Sequence, residues 1–218
     1  MAHAEQKEFV KIVKQFFPEY FNKKIVLEVG SLDINGNTRN EFTDCEYTGI
    51  DVAAGSNVDV VCQGQDFDGA DNYFDVVISC EVMEHNPFWK ETMKNMIRVC
   101  KNDGMVIMSC ATKGRKEHGT ARTDPEASPL TVELGWDYYK NLTENDFVNA
   151  DITKDLDAVF WVNLNSFDLY MLGFKKGSEK NKILRANEIK KLYKSMHFKS
   201  LKSMRRKFKS YLGLIKEQ

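Results

Sequence analysis

The sequence predicts an α/β protein built on a doubly wound, mainly parallel seven-stranded sheet, with an antiparallel last strand and helical extensions at both ends. Apolar segments of strand length alternate with amphipathic segments of helical period, which is typical of right-handed βαβ units. Polar residues that can bind ligands or transfer protons directly follow several of the apolar segments. Parallel sheets of this Rossmann-like kind bind ligands beyond the carboxyl ends of their strands, so both observations favour the same architecture.

The expected elements follow one another along the chain. A leading helix is predicted within residues 1–22, because apolar residues recur at helical spacing until Pro18. Strands are predicted at residues 25–29, 47–52, 58–62, 73–79, 105–111, 157–164 and 167–174. Helices are predicted at residues 87–101 and 143–150, and a turn at residues 102–104. Residues 112–142 are polar and aperiodic, which in a compact domain indicates a lid, a binding loop or a disordered segment.

Charge is unevenly distributed between the body and the C-terminal part of the chain. Residues 175–218 contain 15 lysines and arginines against 3 acidic residues, whereas the rest contains 16 against 29. We therefore divide the chain into a domain of residues 1–175 and a basic amphipathic helical tail of residues 176–218. Three interpretations of the tail compete: a helix packed against the acidic body, a helix on an anionic membrane surface, or, least favoured, a nucleic-acid contact.

Composition also bears on location and metal content. The sequence shows no apolar run of membrane-spanning length and no signal sequence, so a cytoplasmic protein is expected, peripheral to the inner membrane face if the tail binds lipid. The five cysteines lack C-x-x-C spacing and mostly lie in apolar segments. They are expected to be reduced core residues, and no metal is predicted.

The most informative stretch is residues 25–36, where an apolar strand reaches Glu28 and then a loop between Gly30 and Gly36. These glycines do not match the G-x-G-x-x-G spacing of a dinucleotide site. An anionic Glu28 would repel a pyrophosphate but attract a ligand ammonium group. S-adenosylmethionine carries an ammonium group and no phosphate, so it is the cofactor that this loop predicts.

Later strand ends supply the other expected cofactor contacts. Asp51 lies 21 residues beyond Gly30, where a carboxylate can accept hydrogen bonds from a ribose diol; the alternative is a strand-end turn. Gln63 and Gly64 are expected against the adenine edge, or else in a surface turn.

The segment after the fourth strand is expected at the sulfur end of the cofactor. Ser79, Cys80 and Glu81 would pass beside the sulfur. His85 is a candidate general base because imidazole titrates near neutrality, and the alternative is a structural histidine before a helix.

Four segments carry a family resemblance. They are residues 26–37 (VLEVGSLDINGN), 47–52 (YTGIDV), 74–85 (FDVVISCEVMEH) and 102–109 (NDGMVIMS). In this order and spacing, they resemble class I S-adenosylmethionine-dependent methyltransferases of the type-11-like group, over about residues 23–175.

The resemblance implies where the cofactor binds. Glu28, Gly30 and Ser31 would hold the methionine part, and Asp51 the ribose hydroxyls. Gln63-Gly64 replaces the Asp-Ala of many relatives, and a glutamine carbonyl can substitute for the lost acceptor. The full predicted cofactor set is Glu28, Gly30, Ser31, Leu32, Asn35, Asp51, Val52, Gln63, Gly64, Ser79, Cys80 and Glu81.

Two pieces of the 112–142 loop resemble the acceptor site of some bacterial relatives. His118-Gly119 corresponds to a His-Gly pair, and residues 137–143 (DYYKNLT) correspond to an Asp-Tyr-Trp-Arg-Phe-Thr segment. His118 is therefore a second candidate base, with a flexible surface loop as the alternative. The aromatic residues expected to stack on an acceptor, or to pin the loop, are Trp136, Tyr138 and Tyr139.

Together these features predict a methyltransferase that moves a methyl group from S-adenosylmethionine to a small-molecule or glycan-linked acceptor, with S-adenosylhomocysteine as product. A histidine in the pocket favours a hydroxyl acceptor, and a sugar hydroxyl is expected from the family resemblance. The alternatives are an N-methyltransferase acting on a small amine, and a non-catalytic protein of the same fold that uses its tail to bind membrane or RNA. The sequence does not indicate an oligomeric state.

Overall fold

The computed structural model describes residues 4–34, 36–177 and 179–211, with side chains up to residue 197. Its core is one seven-stranded sheet with the order β3-β2-β1-β4-β5-β7-β6. The strands are β1 (Ile25–Val29), β2 (Glu46–Asp51), β3 (Val60–Val61), β4 (Phe74–Cys80), β5 (Cys100–Ala111), β6 (Leu156–Asn163) and β7 (Asp168–Lys175). In the described sheet, β7 runs antiparallel to both of its neighbours, β5 and β6, and the other neighbouring strands are parallel, so the predicted fold class is confirmed.

Helices cover both faces of the sheet. They are α1 (Ala4–Phe16), α2 (Trp89–Val99), α3 (Pro129–Glu133), α4 (Glu144–Asn149) and α5 (Lys180–Tyr211). Because side chains alternate along a strand, Val26 and Leu27 of β1 point to opposite faces. Val26 packs with α1 and α5, whereas Leu27 packs with α2 and α4.

The predicted turn at residues 102–104 is wrong, because these residues form part of β5. Cys100 pairs with Phe74 and Met105 pairs with Val76, so the residues between them form an irregular bulge in the ladder. The helix before this strand also ends earlier than predicted, at Val99. A local turn preference is overridden here by pairing with the neighbouring strand.

The loop at residues 112–142 has more structure than its aperiodic sequence indicates. It contains a 3₁₀ turn at Pro125–Ala127 and the short helix α3. The loop ends at Thr143, whose backbone N–H and hydroxyl both donate to Asp146 Oδ2 at the start of α4. This confirms Thr143 as the residue that begins the predicted helix at 143–150.

The first half of the basic tail packs against the sheet. Ala186, Ile189 and Tyr193 of α5 are buried on the same face as α1. Arg185 pairs with Glu19 at 2.7 Å. Packing against the body is therefore observed for this part of the tail, and the apolar and basic residues predicted beyond residue 197 have side chains outside the described residues.

The boundary at residues 175 and 176 stays a prediction, as do the membrane and nucleic-acid interpretations. Among the helices that the structure describes, none combines the length and hydrophobicity needed to cross a bilayer.

Candidate functional site

An open cleft of about 650 Å³ lies at the carboxyl ends of β1, β2 and β4. We call it the first cleft. Gly30 follows β1, Asp51 ends β2 and Glu81 follows β4, and all three line the cleft. β1 lies between β2 and β4, at the position where the strand order reverses. Ligands of open α/β sheets bind at such a switch point.

Gly30 allows the loop after β1 to approach the loop after β4. Its φ is +82°, and a Cβ at this position would lie 2.0 Å from Val82 Cγ2. The backbone N–H groups of Gly30 and Ser31 both donate to Ile50 O, at 2.9 and 3.1 Å. The loop is thus held against β2 while it passes Val82, and only glycine fits.

Asp51 joins the β1 loop to the end of β2. Its Oδ2 accepts a hydrogen bond from Leu32 N at 3.0 Å, and its Oδ1 accepts one from Val52 N at 2.8 Å. Burial raises the pKa of Asp51, while these two backbone donors lower it. Asp51, Leu32 and Val52 all line the first cleft, so the Asp51 carboxylate is fixed in the cleft wall.

Glu28 is buried beneath the β1 loop and does not line the first cleft. Its Oε1 accepts from the Thr38 hydroxyl and its Oε2 from the Tyr47 hydroxyl, each at 2.8 Å. Burial raises the pKa of Glu28 to about 7, and the two hydrogen bonds lower it. A direct contact with the cofactor's ammonium group therefore stays a prediction, and the observed contacts support a role in holding the loop.

Six of the twelve predicted cofactor residues line the first cleft. Those that line it are Gly30, Leu32, Asp51, Val52, Gly64 and Glu81. Asn35 lies outside the described residues. Those that the structure places elsewhere are Glu28, Ser31, Gln63, Ser79 and Cys80.

The residues placed elsewhere have identifiable surroundings. The Ser79 hydroxyl donates to Val29 O at 2.8 Å, which ties β4 to β1. Gln63 accepts from Gln65 Nε2 at 2.6 Å, so its carbonyl is already engaged. Ser31 and Cys80 are buried. Contacts of these residues with a cofactor stay predictions.

The loop at residues 112–142, which we call the lid, lines part of the first cleft. The sequence did not indicate Ala127 or the first residues of α3, Pro129–Thr131, as cleft residues, whereas Trp136, a predicted acceptor contact, also lines the first cleft. Cys62 also lines it, one position before the predicted Gln63. The Pro125 and Pro129 positions are compatible with helix starts, but nothing in their spacing indicates which surface they cover.

A second, wider cleft of about 1630 Å³ adjoins the first. Glu81 and His85 line both clefts, whereas His118 lines only the second. The rings of His85 and His118 meet edge to face with centroids 4.9 Å apart. Tyr139 lies 5.5 Å from His85 and 5.1 Å from His118. The structure thus brings the two predicted histidines together beside one predicted aromatic residue.

The two histidines differ in their environment. His85 is buried, and this burial together with the neighbouring His118 lowers the pKa of His85 to about 3. His118 is half-buried, and burial lowers its pKa as well. Both imidazoles are therefore neutral at neutral pH, and each has a lone pair for a proton, a hydrogen bond or a metal.

Trp136 and Tyr138 pack against residues other than this histidine pair. Trp136 contacts Phe88 with ring centroids 5.7 Å apart. Tyr138 packs against the core layer that contains α2. Acceptor binding by these two residues stays a prediction.

A family model described as a methyltransferase domain matches residues 1–138, more than half of the chain. The chain belongs to the methyltransferase-domain family. The resemblance to class I S-adenosylmethionine-dependent methyltransferases is thereby confirmed. No curated protein matches the sequence.

Solved methyltransferase structures share the fold. The 1,6-didemethyltoxoflavin-N1-methyltransferase of Burkholderia thailandensis, bound to 1,6-didemethyltoxoflavin and S-adenosylhomocysteine, is 13% identical, with a TM-score of 0.50 over 82% of this chain and 92% of that one. Phosphoethanolamine N-methyltransferase 2 of Haemonchus contortus, bound to S-adenosyl-L-methionine, is 13% identical, with a TM-score of 0.55 over 79% of this chain and 52% of that one. A SAM-dependent methyltransferase of Archaeoglobus fulgidus is 14% identical, with a TM-score of 0.52 over 78% and 94%.

The close approach at Gly30 generates a stability prediction. Gly30→Ala should lower the free energy of unfolding by about 1–3 kcal/mol more than Gly135→Ala, because the new methyl group overpacks against Val82. Gly135 is a matched control, since its φ is +75° but a Cβ there would have nothing within 4 Å. Urea denaturation of both variants measures the difference, and equal losses would contradict the close contact.

The buried carboxyl of Glu28 generates a pH prediction. Its pKa is about 7 in the folded protein against 4.5 as the ordinary value. Between these pH values the folded state keeps a proton that the unfolded state has lost, so this group lowers stability as pH rises. The loss is absent below pH 4.5 and complete above pH 7.

Glu28→Gln removes this titration and keeps a hydrogen-bonding side chain. The variant should therefore gain stability relative to the unmodified protein as pH rises through this range, by up to about 3 kcal/mol. Urea denaturation of both proteins at pH 4.5, 6 and 7.5, within and around the range set by the two pKa values, measures the gain. Parallel stability curves would show that Glu28 titrates normally.

Proposed function

We propose that this methyltransferase binds S-adenosylmethionine in the first cleft and transfers its methyl group to a hydroxyl of a small-molecule or glycan-linked acceptor in the second cleft. One observation carries the proposal: Glu81 and His85 line both clefts, so a donor in one and an acceptor in the other would meet beside these residues.

The wall of the first cleft supports a cationic, phosphate-free cofactor. Asp51 presents a carboxylate at the end of β2, in the position where a ribose diol can donate to it. Glu81 adds a second carboxylate at the end of β4, with its Oε1 accepting from the Ser109 hydroxyl at 3.0 Å. Negative charge attracts the ammonium and sulfonium groups of S-adenosylmethionine and repels a pyrophosphate.

Glu81 also has a backbone conformation that is uncommon for a residue with a side chain. Its φ is +57°. Such conformations cost of the order of 1–3 kcal/mol and cluster at functional sites, where the surrounding structure holds them in place. The turn directs the chain from β4 into the segment that carries His85, and so supports a site at the junction of the clefts.

The chemistry needs alignment and a proton acceptor. The acceptor's oxygen forms a bond to the methyl carbon while the carbon–sulfur bond breaks, and its electron pair stays on sulfur to give S-adenosylhomocysteine. The hydroxyl proton passes to an imidazole, which is the part proposed for His118. Because the sulfonium is already an activated donor, positioning and exclusion of water supply much of the rate.

His118 is better suited than His85 to accept this proton. It lines the second cleft and is half-buried, so its proton can later leave to solvent. Burial holds the pKa of His85 at about 3, which makes it a weak base and fits it for hydrogen bonding to the acceptor. A hydroxyl acceptor must lose its proton to a base, whereas an amine needs only to arrive deprotonated. A neutral imidazole pair therefore favours a hydroxyl acceptor over an amine.

Three narrower expectations stay predictions. They are methylation of a sugar hydroxyl in glycan biosynthesis, a cytoplasmic location, and peripheral contact of the basic tail with anionic lipid. Two of the structural relatives are named as N-methyltransferases, which keeps a small amine as the second candidate acceptor.

Cofactor binding is tested at Asp51. Asp51→Asn should weaken S-adenosylhomocysteine binding about tenfold or more, because it removes a charged acceptor for the ribose hydroxyls. Asp59→Asn is the control, since Asp59 accepts from Gly49 N at 2.7 Å but does not line the first cleft. Calorimetric titration compares the two, and unchanged affinity in Asp51→Asn would remove Asp51 from the site.

Turnover is tested with a panel of sugar, amine and nucleic-acid acceptors, with S-adenosylhomocysteine formation as the readout. On the acceptor that supports turnover, His118→Ala should lower the rate by about 10²-fold or more while cofactor affinity is kept. His197→Gln is the control and should leave the rate unchanged, because His197 lies in α5, accepts from Leu164 N and lines neither cleft. Turnover of amines alone would favour N-methylation, and full activity of His118→Ala would remove the base.

A further inference from the structure

Three metal-ligating side chains meet around His85, which lines both clefts. They are Glu84, His85 and His118, and each offers one ligand atom within 4.8 Å of the others. Glu84 and His85 are buried, and His118 comes from the lid. Among the described residues, this is the group whose geometry could hold a metal ion.

A hydrogen bond holds one side-chain atom of Glu84 and of His118, and a second atom of each keeps an unused electron pair. Glu84 Oε1 accepts a hydrogen bond from Ala111 N at 3.0 Å, whereas the buried Oε2 has no hydrogen-bond partner among the described residues. His118 Nδ1 lies 3.0 Å from Lys116 O. Because a carbonyl only accepts, Nδ1 carries the proton and Nε2 has the lone pair.

His85 supplies the second open nitrogen. Its Nδ1 is buried and has no hydrogen-bond partner among the described residues. Unpaired buried polar atoms are costly, and Glu84 and His85 belong to a group whose ligand atoms lie within 4.8 Å of one another, so a shared ligand would satisfy both residues. One proton shared between Glu84 and His85 would serve these two residues alone, whereas a cation accepts electron pairs from an oxygen and two nitrogens at once.

We propose that Glu84, His85 and His118 bind a divalent first-row transition-metal cation at the junction of the two clefts. Two imidazoles and one carboxylate suit Mn²⁺, Fe²⁺, Co²⁺ or Zn²⁺ better than Mg²⁺, which prefers oxygen ligands. The contact from His118 to Lys116 O is the outer hydrogen bond that metal-bound histidines usually make. The sequence predicted no metal, and this proposal departs from that prediction.

A bound cation would add to the proposed function. The metal-site proposal rests on that function only for the cation's role in turnover. Three protein ligands leave coordination positions open for the acceptor, and a bound hydroxyl loses its proton more readily. With the cation bound, the imidazoles would act as ligands and the hydroxyl proton would pass to solvent water; without the cation, His118 keeps the role of base given to it above. An acceptor with two adjacent oxygens would be preferred, because it can occupy two open positions.

Metal binding is measured on the full chain without cofactor or acceptor. The protein is stripped with a chelator and titrated with Mn²⁺, whose free ion is followed by electron paramagnetic resonance. We expect one Mn²⁺ per chain, with nitrogen modulation from imidazole in the pulsed spectrum. His118→Ala should weaken binding at least about tenfold and reduce the nitrogen modulation.

Two further variants make the result decisive. Glu84→Gln keeps an acceptor for Ala111 N but removes the charge, so it should also weaken Mn²⁺ binding. His197→Gln should leave binding unchanged. No binding at millimolar Mn²⁺, binding without nitrogen modulation, or unchanged binding in His118→Ala would overturn the proposal.

The proposed function is assayed separately in the same samples by S-adenosylhomocysteine titration. Mn²⁺ binding without cofactor binding would refute the methyltransferase site but keep the metal site. Cofactor binding without Mn²⁺ binding would do the reverse. A failure of one proposal can therefore be distinguished from a failure of the other.

Discussion

The candidate site depends on the approach of two loops at Gly30 and Val82. The loops leave neighbouring strands, β1 and β4, at the edge of the sheet where the strand order reverses. Because Gly30 has no side chain, they pass in contact, and the first loop can bond to Ile50 O at the end of β2. Asp51 and Glu81 are then both held in the wall of one cleft. A bulkier residue at Gly30 would separate the parts of the site.

A second constraint is the number of buried carboxyl groups behind and around the clefts. Burial raises the pKa of Glu28 and Asp51, and burial and the charge of Glu81 raise that of Glu84. Buried acids oppose folding unless hydrogen bonds or cations compensate. Backbone donors and hydroxyls compensate in part here. A bound cation would favour the ionised form of these carboxyl groups, which fits the cationic ligands proposed for both clefts.

The sequence predicted the strands well and the side-chain directions less well. β1 matches its prediction because apolar residues of strand length are bounded by charged and glycine positions. Glu28 shows the limit: it lies two residues from Val26 and therefore on the same face of β1, which α1 and α5 cover. The alternation rule places its carboxylate under the loop instead of in the cleft, where it bonds to Thr38 and Tyr47.

The sequence by itself determined the fold, the family and the strand ends that form the cofactor cleft, because these depend on local periodicity and on motifs of a few residues. Only the tertiary structure decided that the lid brings His118 to Glu84 and His85. The lid is held by contacts between distant residues, such as the bond from Lys140 N to Glu84 O at 2.9 Å. Such contacts leave no periodic signal in the chain, since they depend on how a loop closes over the finished sheet.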